Sequence, residues 1–282
     1  MSRVVYFDLE TSGLSDRAEI LQIGAYDPDT NDAFERYILP KKDIPPGTTQ
    51  HNGFELINGQ LYQNGDYRST VGLKSALIDF WDYLNDLPGG AVTLTGHNIF
   101  NFDCRYLFRG IKSCNLVGPF SSVIEGFSDT LPLFREHLPY LANHKLGYIH
   151  EEIVGGGFLE HDAVCDCIAL STIFDETGLE DYISDHAESF DDLLQEDNAR
   201  IATKQRLSTM TELMNHGVSY NMLRRMAEAG LTMSKLRSIW YNEGGCSGLE
   251  DYLSEIMDNG KPRVTSHPYS LGIILDAVSH FV

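Results

Sequence analysis

The chain has 282 residues, of which 42% are hydrophobic and 22% charged, a mixture typical of globular rather than disordered proteins. Its formal net charge is −20; residues 1–198 carry 12 Lys and Arg against 33 Asp and Glu, whereas residues 199–282 carry 9 against 8. This charge excludes a protein that coats nucleic acid through a general positive field, but it is compatible with a metal-dependent enzyme that holds a polyanion through bound cations.

Targeting and membrane segments are not expected. No apolar run approaches the roughly twenty residues that a membrane-spanning helix needs, and the N-terminus enters a predicted strand at once, which leaves no room for a signal peptide. The five cysteines are odd in number and lack paired zinc spacing, so we expect reduced thiols. These features predict an intracellular protein, in the cytoplasm or the nucleus; the oligomeric state stays open.

The first two thirds of the chain have the pattern of an α/β fold. A first strand ends in Asp8 and Glu10, and two more strands follow over 19–26 and 33–39, before a Pro/Gly/Asn-rich loop over 40–69. Helical spacing and short apolar runs then predict helices over 71–84, 102–111, 131–138, 145–154 and 162–176, and strands over 91–95 and 122–127. This order indicates a mixed five-stranded sheet flanked by helices.

The remainder is predicted to be helical. From Asp175 to Asp197 there are ten acids and no Lys or Arg, which we interpret as a linker or a solvated helix face. Helical spacing then predicts helices over 201–214, 220–229, 233–240, 249–257 and 271–281. The predicted domains are 1–176, an acidic linker or helix over 177–198, and a smaller all-α domain over 199–282. That last domain either docks a protein partner or covers a helical face of the first.

Two acids at the end of the first strand point to metal chemistry. Asp8 and Glu10 stand one residue apart, so a strand presents both carboxylates on one face. Carboxylates this close repel each other unless a cation lies between them, and hard divalent cations prefer oxygen ligands. The pair therefore predicts part of a metal site; the alternative is two solvated acids at a strand end.

Asp103, His161 and Asp166 are candidates to complete such a site. Asp103 lies at a strand-to-helix transition, where ligands gather in α/β proteins, although it is also placed to cap the helix. Asp162 is placed to cap a later helix, and Asp166 falls about one turn inside it, on the side of the loop that carries His161. A loop imidazole beside a carboxylate suits proton transfer, although a single histidine is more often structural.

Together these residues resemble the signature of the DEDD exonuclease superfamily. Asp-x-Glu on the first strand, Asp103 after a Gly-His-Asn segment, and His161-x4-Asp166 opening a late helix occur in the expected order over about residues 1–176. The histidine resembles the DEDDh, or DnaQ-like, branch, and His97-Asn98-x-x-x-Phe102-Asp103 resembles its Trex-like subgroup. The resemblance implies a ribonuclease H-like fold.

The resemblance also implies an activity. The protein would be a 3′→5′ exonuclease that removes 5′-mononucleotides from DNA 3′ ends, preferably single-stranded or frayed ones. Hydrolysis would use two divalent cations, Mg²⁺ or Mn²⁺, in a two-metal mechanism. Asp8 would bridge both cations, Glu10 and Asp166 would complete the site of the cation that activates water, and Asp103 would help to hold the other. His161 would act as the general base.

Four substrate-binding residues follow from the same resemblance. Thr11 would meet the terminal 3′-hydroxyl through its backbone, Leu14 would wedge against the last base, and Asn98 and Phe102 would shape the pocket for the terminal nucleotide. Ordinary core packing is the alternative for Leu14 and Phe102.

The chain departs from the best-known Trex enzymes. It lacks their proline-rich loop and basic stretch, and its helices around 220–231 resemble the exonuclease-like end of promyelocytic leukaemia proteins. Two alternative functions are therefore retained: an RNA 3′→5′ exonuclease of the same superfamily, and a catalytically weak interaction module.

Overall fold

The computed structural model describes residues 2–282 and divides the chain into two compact units, the first ending at Leu194 and the second comprising Gln195–Val282. The strands are β1 (Arg3–Thr11), β2 (Ile20–Asp27), β3 (Asp32–Ile38), β4 (Phe54–Ile57), β5 (Gln60–Gln63), β6 (Asp66–Arg68), β7 (Thr70–Val71), β8 (Val92–Gly96), β9 (Ile124–Asp129) and β10 (Ala187–Ser189). The helices are α1 (Pro46–Asn52), α2 (Leu73–Asp86), α3 (Asp103–Ser113), α4 (Val117–Val123), α5 (Thr130–His137), α6 (Leu146–Ile153), α7 (Ala163–Thr177), α8 (Phe190–Ser208), α9 (Tyr220–Glu228), α10 (Met233–Asn242), α11 (Cys246–Ser254) and α12 (Pro268–Ser279). Within the described residues, none of these helices combines the length and apolar character needed to cross a membrane.

A mixed sheet forms the centre of the first unit, in the order β10-β9-β8-β1-β2-β3-β7. β1 pairs antiparallel with β2 and parallel with β8, and β8 pairs parallel with β9. The five longer strands are those predicted from the sequence, and β7 and β10 add two short edge strands. The predicted α/β fold, with helices on both sides of a mixed sheet, is confirmed.

β1 is buried on both faces, and alternate side chains enter two different cores. Val5, Phe7 and Leu9 pack in a core with residues of α2 and α3. Tyr6 faces the opposite core, formed with residues of α5, α6 and α7, where its ring lies 5.8 Å from that of Phe174. Because side chains alternate along a strand, Asp8 and Glu10 continue the face of Tyr6 and are directed towards α7.

A glycine permits the close approach of α7 to the sheet. Gly24 on β2 is the register partner of Asp8 on β1. A Cβ atom at Gly24 would lie 2.5 Å from the carbonyl carbon of Ala163, the first residue of α7, so no larger residue fits without moving that backbone. The start of α7 is thereby held directly over the strand pair that carries the acids.

The prediction of a loop over 40–69 is wrong for most of its length. This segment contains α1 and a separate three-stranded antiparallel sheet in the order β4-β5-β6. Its side chains pack onto the main sheet through a small core of Leu21, Tyr37, Phe54 and Leu61. The strands are only three or four residues long and have many Asn, Gln and Gly neighbours, so no period was visible in the sequence.

Other predicted boundaries shift by a few residues. The strand predicted over 122–127 begins at Ile124, because Ser122 and Val123 end α4. The helix predicted over 201–214 is instead the second half of α8 followed by a 3₁₀ turn over Thr211–His216. Residues of the acidic stretch form 3₁₀ turns over Glu180–Tyr182 and Ser184–His186, and β10 pairs with β9.

The second unit is helical and has its own core. Buried side chains of α9 to α12 supply most of it, including Leu223, Leu236, Leu249 and Ile274. Ser219 and Thr232 cap α9 and α10 by accepting hydrogen bonds from backbone amides of the first helical turns.

Candidate active site

The structure brings the four predicted carboxylates to one place. Asp8 and Glu10 lie on β1, Asp166 lies in the first turn of α7, and Asp103 is the first residue of α3. The Oδ1 atom of Asp103 accepts a hydrogen bond of 2.9 Å from the backbone amide of Leu9, between the two acids of β1. Phe102 occupies the N-cap position of α3, so the alternative reading of Asp103 as the cap residue is wrong.

His161 lies beside these carboxylates. Its backbone amide donates to Oδ2 of Asp166 at 3.1 Å, and one donor atom from each of Glu10, His161 and Asp166 lies within 4.8 Å of the other two. The residue has a φ of 65°, a left-handed conformation that is uncommon outside glycine and asparagine. Gln63 of β5 fixes this conformation by donating a hydrogen bond of 3.0 Å to the carbonyl oxygen of His161.

The carboxylates lie in an environment that disfavours their charged forms. Burial raises the pKa of Glu10 to about 9, and the neighbouring Asp8 contributes to the rise. Burial likewise raises the pKa of Asp166 to about 9, with Asp8 again the next cause. The pKa of Asp8 rises to about 7 and that of Asp103 rises well above its ordinary value, both chiefly through burial. A bound divalent cation would reverse these shifts, because it stabilises the ionised carboxylates.

The donor set fits a hard divalent cation. Hydrogen bonds reach three of the carboxylates from neutral groups, namely the backbone amides of Leu9 and His161 and the side-chain amide of Asn52. Oxygen ligands of high negative charge density are those that Mg²⁺ and Mn²⁺ prefer. The residues present therefore fit the cofactor that the sequence predicts.

A second imidazole lies next to His161. The ring of His51, in the last turn of α1, lies 4.0 Å from the ring of His161 between centroids. The pKa of His161 is lowered, first by burial and then by the proximity of His51. A lowered pKa keeps an imidazole neutral, which is the form that accepts a proton.

Sequence reasoning missed Asn52 and the site role of Asp162. Asn52 is 4% exposed and donates from Nδ2 to Oε2 of Glu10 at 3.0 Å and to the carbonyl oxygen of Thr11 at 3.1 Å. Asp162 caps α7 as predicted, and it also accepts from Gln22 and raises the pKa of Asp8. Asn52 lies in the segment predicted to be a loop, and no local pattern there indicated a buried side chain.

The site opens into a cleft of about 1140 Å³. The predicted substrate-binding residues Thr11, Leu14, Asn98 and Phe102 all line it. Leu14 is 86% exposed, which excludes the alternative that it is a core residue. Phe102 is partly buried, and the centroid of its ring lies 4.8 Å from that of Tyr106. This side chain therefore both lines the cleft and packs against the core.

Two further features of the cleft concern its charge and the loop that leads to His161. Arg135 and Lys145 line it, as do the neighbouring His97 and His144. The loop that leads to His161 contains Gly155 and Gly156, both with positive φ. This loop ends at the residue predicted to be the general base.

Comparison with known proteins gives one family match. The family described as Exuperantia RNAse H-like domain matches residues 2–149, which include Asp8, Glu10 and Asp103 and end before His161 and Asp166. No curated protein matches the chain.

Solved structures of exonuclease I are similar in fold. One, described as suggesting how processivity is achieved, superposes with a TM-score of 0.53 at 16% identity, over 66% of this chain and 44% of that chain. A complex of E. coli exonuclease I with a 5cy-dA13 oligonucleotide gives a TM-score of 0.51 at 16% identity, over 66% and 43%. The complex with dT13 gives 0.50 at 16% identity, over 64% and 43%.

These likenesses establish the ribonuclease H-like fold. The chain spans less than half the length of the exonuclease I chains that it matches. The narrower resemblances, to the Trex-like subgroup and to promyelocytic leukaemia proteins, stay predictions.

Proposed function

This chain belongs to the Exuperantia RNAse H-like domain family, and from that premise we propose that its cleft is the active site of a metal-dependent 3′→5′ exonuclease. The convergence of Asp8, Glu10, Asp103 and Asp166 with His161 at the floor of one cleft carries the proposal. These residues come from three separate elements and one loop, separated by up to 158 positions in the chain (8 to 166). Burying these acids together is unfavourable for packing alone, because burial and the nearby Asp8 raise the pKa of both Glu10 and Asp166.

Two divalent cations, Mg²⁺ or Mn²⁺, are the proposed cofactors. Asp8, Glu10 and Asp166 would hold one, and Asp8 with Asp103 would hold the other. When bound, such cations neutralise the charge that develops on the phosphate and stabilise the departing 3′-oxygen. The chain contributes the positions of the carboxylates, which β1, α3 and α7 fix through backbone contacts.

His161 is proposed to accept a proton from the attacking water at an imidazole nitrogen. Three observations support this role: the ring lies within reach of Glu10 and Asp166, the residue is only partly buried, and its pKa is lowered. The carboxylate of Asp166 orients the residue through the backbone amide, so the imidazole nitrogens remain available for the reaction.

The residues around the metal site suit the end of a strand. Leu14 projects from the rim and is free to stack against a terminal base, and Asn98 and Phe102 lie on the same cleft. Apolar stacking tolerates every base, so little sequence preference is expected. Single-stranded or frayed DNA is the proposed substrate, because the structurally similar exonuclease I is described in complexes with dT13 and dA13 oligonucleotides. RNA is the alternative substrate.

The decisive experiment follows the degradation of DNA and RNA oligonucleotides of one sequence, labelled at either end, with Mg²⁺, with Mn²⁺ and with EDTA. Shortening of the 5′-labelled DNA and immediate release of a labelled mononucleotide from the 3′-labelled DNA are expected, both abolished by EDTA. The Asp8→Asn and His161→Ala variants should lose at least about 100-fold in kcat. Asp82→Asn, which removes an exposed acid of α2, is the matched control and should retain activity.

Each outcome bears on a different part of the proposal. Full activity of Asp8→Asn would overturn the assignment of the site. Preference for RNA by more than about tenfold, equal to about 1.4 kcal/mol in transition-state binding, would move the substrate to RNA. Absence of Mn²⁺ binding by calorimetry would favour an interaction module instead.

A further inference from the structure

A second cluster of metal-ligating side chains lies outside the cleft of the first unit. Glu136 and His137 are the last two residues of α5, and His186 ends the 3₁₀ turn over Ser184–His186. One donor atom from each of the three lies within 4.8 Å of the other two. We propose that Glu136, His137 and His186 form a transition-metal site that takes Zn²⁺.

The geometry is close to that of a tetrahedral zinc site. Zinc bonds to imidazole nitrogen and carboxylate oxygen are about 2.1 Å long, which places neighbouring ligand atoms of a tetrahedron about 3.4 Å apart. The Nε2 atom of His186 and the Oε2 atom of Glu136 are 3.5 Å apart. These two atoms therefore already have the spacing of two zinc ligands, and a ring nitrogen of His137 lies within 4.8 Å of both.

The two imidazoles are held by their surroundings. The side chain of His186 is 17% exposed, and the ring of His137 packs against that of Tyr182 with centroids 4.1 Å apart. The rings of His137 and His186 are nearly perpendicular, at 84°, with centroids 6.5 Å apart. Glu136 is 66% exposed, so the site is accessible from solvent. Ligands whose rings are packed lose less freedom when they bind a metal.

Two electrostatic features favour a cation at this position. Glu136 and His137 lie at the C-terminal end of α5, where the helix dipole is negative and attracts positive charge. The stretch from Asp175 to Asp197, which contains His186, has ten acids and no Lys or Arg. A bound cation would compensate this local excess of negative charge.

The donor set distinguishes this site from the cleft. Two imidazoles and one carboxylate suit Zn²⁺, whereas the four carboxylates proposed as the ligands in the cleft suit Mg²⁺ or Mn²⁺. Three protein ligands leave the fourth position of the tetrahedron to water. The structural consequence is a link between α5 and the segment that leads directly into the edge strand β10.

The test titrates the metal-free full chain with Zn²⁺ against a chromophoric chelator, with Mg²⁺ in excess and in a Glu10→Gln, His161→Ala background, which removes two of the three donors that lie together in the cleft. One tight equivalent is expected, and the complex with Co²⁺ should show the visible absorption of a tetrahedral ion. His186→Ala and His137→Ala should each weaken binding by at least about 100-fold, because losing a ligand exceeds the effect of losing an outer-shell partner. Glu136→Gln, at an exposed position, gives a variant whose fold is not in question.

The control removes a histidine elsewhere. His280 is exposed and stacks on His216 in the second unit, with centroids 4.4 Å apart, and His280→Ala should leave Zn²⁺ binding unchanged. Unchanged affinity in both His186→Ala and Glu136→Gln, or binding lost in His280→Ala, would overturn the proposal. In the first case the cluster is a polar contact between His186 and Glu136 that holds no metal, and in the second the metal binds at the His216–His280 stack.

Discussion

Asn52 holds Glu10 in place from an element that carries none of the other predicted ligands. Its side-chain amide bridges Oε2 of Glu10 and the carbonyl oxygen of Thr11, and it is almost fully buried. Removing a partner that orients a metal ligand typically costs about 10-fold to 100-fold in metal affinity or activity. α1, which carries Asn52, is therefore part of the framework of the proposed site.

Asn52→Ala should lower kcat by about 10-fold to 100-fold and raise the Mg²⁺ concentration needed for half-maximal activity, because Glu10 loses the donor that fixes it. Titration of activity with Mg²⁺ checks this. Asn85→Ala, an exposed asparagine of α2, is the control. A loss of activity with an unchanged Mg²⁺ dependence would show that Asn52 supports the fold and not the ligand.

Arg3 and Asp27 form a charged pair that ties the start of β1 to the end of β2. The guanidinium donates to both carboxylate oxygens of Asp27, at 2.9 and 2.7 Å, and Asp27 is fully buried. Burial on its own would raise the pKa of Asp27, but the hydrogen bonds from Arg3 and Thr30 outweigh it, and the pKa is lowered. A carboxyl with a lowered pKa in the folded state adds stability above its unfolded pKa, and this stability is lost as the pH falls through the folded value.

Asp27→Asn should lower the free energy of unfolding by about 1–3 kcal/mol at neutral pH, since a charged hydrogen-bonded acceptor is removed beside Arg3. The difference should narrow as the pH falls below about 4, where Asp27 of the unfolded chain begins to take up a proton, and should continue to narrow down to the lowered pKa of the folded state. Urea unfolding at several pH values measures it. Asp29→Asn, 70% exposed and 3.5 Å from Arg3, should cost below about 1 kcal/mol at any pH.

The contact between β2 and the start of α7 decides where Asp166 lies. α7 begins with the Asp162 cap, and its first residue, Ala163, packs against Gly24 with no space for a side chain between them. The amide of Ala163 also donates to Oε1 of Gln22 on β2 at 3.1 Å. These contacts set the distance between Asp166 and the two acids of β1.

Gly24→Ala should therefore reduce kcat as well as the free energy of unfolding. The added Cβ forces the backbone of α7 away from the sheet, a strain of about 1–3 kcal/mol, and displaces Asp166 from Glu10. We expect kcat to fall by at least about 100-fold, since a displacement near 1 Å has that effect on a positioned site. Gly118→Ala, a glycine of α4 with open space around its Cα, is the control. Equal activity of the two variants would contradict this account of how α7 is positioned.

At the scale of the whole molecule, the charge sets how a polyanion approaches. The net charge is −20, so the long-range field repels nucleic acid, and a polyanion needs local cationic groups in order to bind. Among the described residues, Arg135 and Lys145 are the Lys and Arg side chains that line that cleft. Binding should depend on these two side chains and on bound divalent cations.

The salt dependence of binding should accordingly be shallow. Each phosphate contact contributes about −0.7 to the slope of log K against log salt for single strands, so two contacts limit the slope to about −1.4. Anisotropy of a labelled single strand with the inactive Asp8→Asn variant at fixed Mg²⁺ measures it. Arg135→Ala should make the slope shallower by about 0.7. Lys74→Ala, at an exposed position of α2, should leave the slope unchanged. A slope several units steeper would reveal a basic surface outside the cleft.

The sequence by itself determined the features that are local in the chain. The alternation of β1, the Asp162 cap and the order of helices and strands all depend on neighbouring residues, and they indicated the α/β fold and the candidate ligands. Signals of this kind depend on period and on turn chemistry, which are visible without partners.

The tertiary structure alone decided what lies against those residues. Asn52 and His51 reach the site because the short strands β4 to β6 fold a segment with no visible hydrophobic period onto the sheet. Asp103 contacts β1 instead of capping α3, because its carboxylate accepts a hydrogen bond from the amide of Leu9. The pairing of Glu136 with His186 likewise joins residues 50 positions apart. Such contacts follow from burial of apolar faces by the whole unit, and no stretch of sequence contains them.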